Sequence, residues 1–195
     1  MAPRTRQDAR PTALPPRERL LEAAIRLFYE EGIQSVGVDR LIAEAGITKA
    51  TFYRHFPTKD ALVRAYVEDR DQAVRARADA LAAQAGGPRE VLTALVAELG
   101  KQACGAGFRG CAFINAAAEY PDAGHPVRQA VAEHRRWFRA RLVRLLQDAG
   151  HPRAEGAADT LVLLRDGTMT GGYLDDPARA AAALRHAVDA VLAAA

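Results

Sequence analysis

A chain of 195 residues that is 49% hydrophobic and 26% charged can bury a core and is too apolar to stay disordered. No window approaches the about 18 uninterrupted apolar residues of a membrane span, and the basic start has no apolar segment behind it, which argues against a secretory signal. Two cysteines cannot build a disulfide framework and fit a reducing cytoplasm, so secreted, membrane and collagen-like classes are excluded.

The net charge of +3 is concentrated at one end. In residues 1–19, Arg4, Arg6, Arg10, Arg17 and Arg19 stand against Asp8 and Glu18, and the remainder balances to zero. A basic arm over residues 1–14 ahead of a folded domain suits phosphate contact, directly or by steering. A solvated tail in a chain that favours arginine over lysine is the plainer alternative.

Punctuation and periodicity predict about nine helices and no strand ladder. After Pro15-Pro16, the spacing of Leu20, Leu21, Ala24, Ile25, Leu27 and Phe28 predicts a helix that Gly32 ends. Val38, Leu41, Ile42 and Ala45 make a second, two-turn helix stopped by Gly46. Thr48 can cap a third running to about Phe56, before Pro57, and Thr58 a fourth that continues to about Ala85. Gly86-Gly87-Pro88 closes that helix and opens a fifth, which ends at Gly105-Ala-Gly107. A short apolar helix follows from Cys111 to Glu119, then long ones from Pro126 to Ala149 and Arg153 to about Gly172. Asp176-Pro177 opens the last. The short helices end inside the fourth, which places a domain boundary near residue 75.

The second and third helices are joined by Gly46-Ile47-Thr48, which forces them to cross at a wide angle. The second of such a pair projects from its core as a narrow rod that fits a DNA major groove. Phe52 and Phe56, four apart, are predicted to point inward. That leaves Thr48, Lys49, Ala50, Thr51, Tyr53, Arg54 and His55 outside, with Lys59 just beyond. Hydroxyls and cations are donors to phosphates and base edges, and no carboxylate lies between Thr48 and Lys59. An ordinary solvated helix face is the alternative.

Residues 15–67 resemble the DNA-binding domain of the TetR family of bacterial transcriptional regulators. The resemblance is carried by Ala24 to Phe28, Gly32, Val38, the run Ile42 to Lys49, Thr51 to Phe56, Lys59-Asp60 and Leu62. It continues more weakly through Gly110 to Asn115, Glu119 to Asp122 and the last two helices. It implies an all-α chain: residues 15–75 form a DNA-binding domain with its helix-turn-helix at about 37–56, and residues 76–195 a ligand-binding and dimerisation domain. It also implies a homodimer on a palindromic double-stranded operator, with Tyr53 and Lys59 clamping phosphates, and a small-molecule pocket. Many relatives carry Ser or Thr where this chain has Gly37, so no side-chain role is carried onto that position.

In the C-terminal half, Phe108, Phe113, Asn115, Glu119, Trp137, Phe138, Met169 and Tyr173 are the candidate pocket lining, with His134 and Asp166 as further polar groups and Ile114, Tyr120, Leu142 and Leu163 as further apolar ones. Core packing is the alternative for any of them. The eighth helix is apolar on more than one face, so Leu161, Leu164, Arg165 and Thr168, with Leu184, Val188 and Val191 of the ninth, are the candidate dimer surface. Cys104 and Cys111 have no zinc spacing and read as small core residues. No phosphate loop, dinucleotide fingerprint or nucleophile elbow is present, and nothing asks for a cofactor or a metal. A Cys/His small-molecule hydrolase using Cys104 or Cys111 with His125 is the formal enzyme alternative, and a ligand-binding protein without regulatory DNA binding is the other. The expected function is a cytoplasmic, non-enzymatic, DNA-binding repressor released by a small apolar or amphipathic ligand.

Overall fold

Proline and glycine set most of the helix ends. The computed structural model describes residues 14–193, so the basic arm, apart from Leu14, lies outside the described residues. Among those residues the chain forms nine helices and no strands: α1 Pro16–Glu31, α2 Val38–Ala45, α3 Lys49–His55, α4 Lys59–Gln84, α5 Pro88–Ala103, α6 Ala112–Glu119, α7 Pro126–Asp148, α8 Ala154–Leu174 and α9 Pro177–Ala193. Prolines open α1, α5 and α7, where a missing N–H costs nothing. Thr48 and Thr58 accept hydrogen bonds from the Thr51 and Ala61 amides, so the two predicted caps are in place.

Helices α1 to α3 and the start of α4 pack around Leu20, Leu27, Phe28, Leu41, Phe52, Phe56, Leu62 and Tyr66, all buried. Phe28 meets Tyr66 edge to face at 5.7 Å. The same apolar cluster continues through Val67 into Phe113, Ala116 and Tyr120 of α6 and its C-terminal end, and into Val127 and Val131 of α7. The core is therefore not cut at residue 75. A second cluster joins Leu92 of α5, Leu142 and Leu146 of α7, Leu161 of α8, and Leu184 and Val188 of α9. At 26 residues, or about 39 Å at the α-helical rise, α4 runs from its packing against α1 to contacts with α5 and α7.

Close packing at the far end of α8 depends on Gly172. A Cβ there would lie 2.9 Å from the Cβ of Ala103 at the end of α5. This approach brings α8 against the loop that precedes α6.

Candidate nucleic-acid interface and adjoining cleft

The turn between α2 and α3 is built by Gly46, whose φ of 59° lies in the left-handed region that costs glycine nothing. The Ile47 amide reaches back to the Ile42 carbonyl at 3.2 Å, closing the end of α2. Arg19 of α1 donates to the Gly46 carbonyl at 3.4 Å, and Arg17 lies over the Phe56 ring at 5.2 Å. These arginines, expected as part of a basic stretch, brace the turn and the buried side of α3.

Phe52 and Phe56 are buried as predicted, which turns the rest of α3 outward. Thr48, Lys49, Ala50, Tyr53 and Arg54 are exposed, while Thr51, His55 and Lys59 are half-buried. Tyr53 keeps its ring at 5.2 Å from Phe52, nearly perpendicular, so its hydroxyl end is presented from a fixed base. The Thr48 and Thr51 hydroxyls lie 2.9 Å apart and hydrogen-bond each other. Burial pushes the Lys59 ammonium below the usual lysine range, and the neighbouring Glu119 and Asp60 carboxylates oppose that shift.

Tertiary structure adds a carboxylate that the run from Thr48 to Lys59 lacks. Asp39 of α2 stands 3.8 Å from the Lys49 ammonium, with both side chains largely exposed. The N-terminus of α2 is capped by the backbone of Gly37 alone, in extended conformation. A Cβ added there meets nothing within 4 Å.

The head is tied to the rest of the chain through both ends of α6. At the C-terminal end, the Glu119 carboxylate accepts hydrogen bonds from the Ile33 amide at 2.9 Å and the Gln34 amide at 2.6 Å. The Tyr120 hydroxyl donates to Asp60 at 2.7 Å, and His125, stacked on Tyr120, reaches the other oxygen of Asp60. Burial, and then the Asp60 carboxylate, raise the Tyr120 pKa, so the phenol stays protonated. At the N-terminal end, the Tyr29 hydroxyl donates to the Gly110 carbonyl and accepts from the Arg109 amide, both at 2.9 Å. Arg109 also donates to the Glu30 carbonyl. No local sequence signal marks these pairs, which are separated by 60 to 86 positions.

Next to this tie a cleft of about 380 Å³ opens between α4, the loop before α6, the start of α6, and α8. Of the candidate pocket residues, Phe108, Phe113 and Met169 line it. The others lie elsewhere. Glu119 faces the α1–α2 loop, because two unpaired amides there need an acceptor. Asn115 donates to the Arg109 carbonyl and holds the loop. Trp137 carries Arg75 on its face at 4.4 Å, while Phe138 packs against the second core cluster. Tyr173 and Leu163 are exposed. His134 is buried behind Phe113, with the rings stacked at 3.6 Å, and pairs with Asp71 at 2.7 Å. Tyr29 of the head and Arg70, Val74 and Arg77 of α4 complete the lining, and no feature of the C-terminal half of the sequence points to them.

The candidate dimer residues differ in how far the chain itself covers them. Leu161, Leu184 and Val188 are buried inside the chain with Leu92 and Leu142, because α5 covers the side of α8 and α9 on which they sit. Val191 and Leu164 pack at the edge of the same cluster, Thr168 is buried, and Arg165 turns toward Cys111. The most exposed apolar side chains of α8 are Leu163 and Leu174, at 71% and 68%, with Tyr173 beside Leu174 also exposed. Leu163 flanks a shallow groove that Leu164, Thr168 and Leu184 of the candidate set also line, with Gly167, Gly171, Ala180 and Ala183.

Cys104 is exposed rather than packed in a core, and Cys111 is buried against Arg165. Cys111 and His125 sit beyond opposite ends of the eight-residue α6, with His125 engaged by Asp60, so they form no nucleophile–base pair. Among the described residues no group of three His, Cys, Asp or Glu side chains could hold a metal ion. No helix among them is long and apolar enough to cross a membrane.

A projecting helix on a three-helix head, joined by one long helix to a second helical unit, defines a helix-turn-helix regulator. Residues 20–66 match the family described as bacterial regulatory proteins, tetR family, and residues 91–191 match the tetracyclin repressor-like C-terminal domain. The chain belongs to the TetR family of bacterial transcriptional regulators. It superposes on SCO4454, a TetR-family transcriptional regulator from Streptomyces coelicolor, with a TM-score of 0.88 and 44% identity, covering 91% of this chain and 94% of that one. A putative TetR-type regulator from Streptomyces avermitilis gives a TM-score of 0.78 at 29% identity, covering 90% and 99%. The HTH-type transcriptional regulator LmrA of Bacillus subtilis is 33% identical over 125 residues, which are 62% of this chain and 66% of the relative. A Staphylococcus aureus HTH-type regulator, SAB2452, is 42% identical over 62 residues, a third of its length.

Proposed function

We propose that this chain is a homodimeric repressor that binds a palindromic double-stranded operator and leaves it when a small amphipathic molecule enters the cleft beside α4 and α6. The observation that carries this reading is the double tie between cleft and head. Cys111 and Phe113 of the cleft wall belong to the same short segment whose ends hold Tyr29, Ile33, Gln34 and Asp60 of the DNA-binding head. A ligand that moves α6 or α4 therefore changes how the head is held. Ligand and DNA then favour different head positions, which is a coupling free energy between two sites. Such a regulator works in the cytoplasm and needs no catalytic group.

In this reading Tyr53 and Lys59 hold phosphates, while Thr48, Lys49, Ala50, Thr51, Arg54 and His55 face the groove. Two copies pair through α8 and α9, with Leu163 and the small-residue groove at the seam, which sets two recognition helices about one turn of DNA apart or a small multiple of it. The test is selection of random duplexes by the purified protein at physiological salt. An enriched inverted repeat is expected. On that repeat, Tyr53→Phe and Lys59→Ala weaken binding to all sequences alike, whereas Lys49→Ala and Thr51→Ala relax the preference by about 1–3 kcal/mol per lost base contact. No enrichment by an intact dimer, or an equal loss on all sequences for Lys49→Ala, counts against the reading.

A further inference from the structure

The cleft has a charge pattern of one sign. Arg70 and Arg77 of α4 and Arg165 of α8 line it, and no aspartate or glutamate does. The partners of these arginines stand outside the lining: Asp69 for Arg70, Glu98 for Arg77 and Asp166 for Arg165. Arg165 is the most enclosed, with a side-chain exposure of 13%. It donates to Asp166 at 2.9 Å and to the Cys111 sulfur at 3.0 Å. Asp166 is shared, because Arg135 reaches its other oxygen at 2.7 Å. Two guanidinium groups on one carboxylate leave a surplus positive charge, and the inner of the two faces the cleft. The remaining wall is mainly apolar, formed chiefly by Val74, Phe108, Phe113 and Met169, with Tyr29 and Gln102 as its uncharged polar side chains.

A bare inorganic ion would leave that apolar wall in water, and a neutral hydrocarbon would leave the surplus charge unmatched. The geometry points to an amphipathic organic anion as the ligand class of this cleft: a carboxylate, sulfonate or phosphate ester held by Arg165 and Arg70, with an aromatic or aliphatic body against Phe108, Phe113 and Met169. Planar guanidinium groups suit such acid groups, which they can engage through two parallel hydrogen bonds. The volume of about 380 Å³ fits one small organic molecule. This inference rests on the cleft being the effector site, and it adds the charge of what enters.

A matched pair of dyes tests it on the full-length protein. 8-Anilinonaphthalene-1-sulfonate and N-phenyl-1-naphthylamine share one ring system, and only the first carries an acid. Fluorescence titration is expected to show one sulfonate site per chain, at least tenfold tighter than binding of the neutral dye. Arg70→Gln and Arg165→Gln each weaken the sulfonate at least fivefold and leave the neutral dye within twofold. Arg165 is enclosed, and its replacement can cost the fold. Arg70 has a side-chain exposure of 35%, so the Arg70→Gln variant keeps the claim testable. Equal affinity for the two dyes, no binding of the sulfonate, or an unaltered sulfonate affinity in Arg70→Gln overturns the proposal. Charge-dependent binding that leaves the operator complex intact supports the ligand class and removes only the release step proposed above.

Discussion

Replacing Glu119 by alanine tests whether one carboxylate holds the DNA-binding head in place. Glu119 lies at the end of α6, and its two oxygens accept from consecutive amides, Ile33 at 2.9 Å and Gln34 at 2.6 Å. Both amides lie in the α1–α2 loop, in a chain segment that has no helical partner to offer them. Hydrogen bonds to a charged acceptor contribute about 1.5–3 kcal/mol each, and less where water can replace them. The Gln34 contact is exposed, so water takes it over at small cost. The Ile33 contact is partly buried, and Ile33 itself is 2% exposed, so its amide loses its partner with little solvent to compensate. The expected loss is therefore about 2–3 kcal/mol, nearer one bond than two. For a chain of this size that lowers the thermal midpoint by about 4–12 °C. Circular dichroism melts give the midpoint, and amide hydrogen exchange shows whether protection falls at Ile33 and Gln34 in particular. Glu133→Ala, an exposed acid on α7, is the control. A Glu119→Ala midpoint within 1 °C of the unsubstituted protein, with Ile33 protection unchanged, refutes the assignment.

Three further outcomes are expected. Burial holds the His134 imidazole below the usual histidine value, and the Asp71 carboxylate only partly offsets that. The unfolded chain therefore takes up this proton more readily than the folded one, so the contribution is intact above the ordinary histidine pKa and is lost as pH falls through it. Urea titrations at pH 7.5 and 5.5 should show the smaller pH loss in His134→Gln, and equal losses would disprove the account. Gly37→Ser restores a side-chain cap in open space and should add a few tenths of a kcal/mol to stability. It should also steepen the salt dependence of DNA binding by about one phosphate contact, and an unchanged slope would place the α2 N-terminus away from the backbone. Leu163→Asp sets a charge on the uncovered face of α8 and should convert the proposed dimer to monomer at micromolar concentration in the ultracentrifuge. A persistent dimer moves the seam elsewhere.

Much of the architecture was legible in the chain because its signals are local. A glycine or proline beside a helix end acts through its own φ, and the Thr48 and Thr58 caps act within three residues. The inward turn of Phe52 and Phe56 follows from their spacing of four on one helix face, and it settled which side chains of α3 face outward. The family resemblance rested on that same short-range segment.

What the chain alone could not settle was decided by packing between distant helices. An α8 that is apolar on two sides does not reveal which side its own chain will cover. Once α5 and α9 lie against it, Leu161, Leu184 and Val188 fall inside and Leu163 stays out. Glu119 reads as a polar group for a pocket until folding brings the amides of Ile33 and Gln34, some 85 positions earlier, within reach of its oxygens. The single sign of charge in the cleft has the same origin. Arg70 and Arg77 share α4 but Arg165 lies on α8, about 90 positions later, and only their assembly turns the cations inward while the matching carboxylates stay outside the lining. Local sequence determines which helices form and where they end, because capping and periodicity act within a few residues. Which faces those helices cover, and which charges they leave looking into a cavity, depends on long-range contacts that no short window contains.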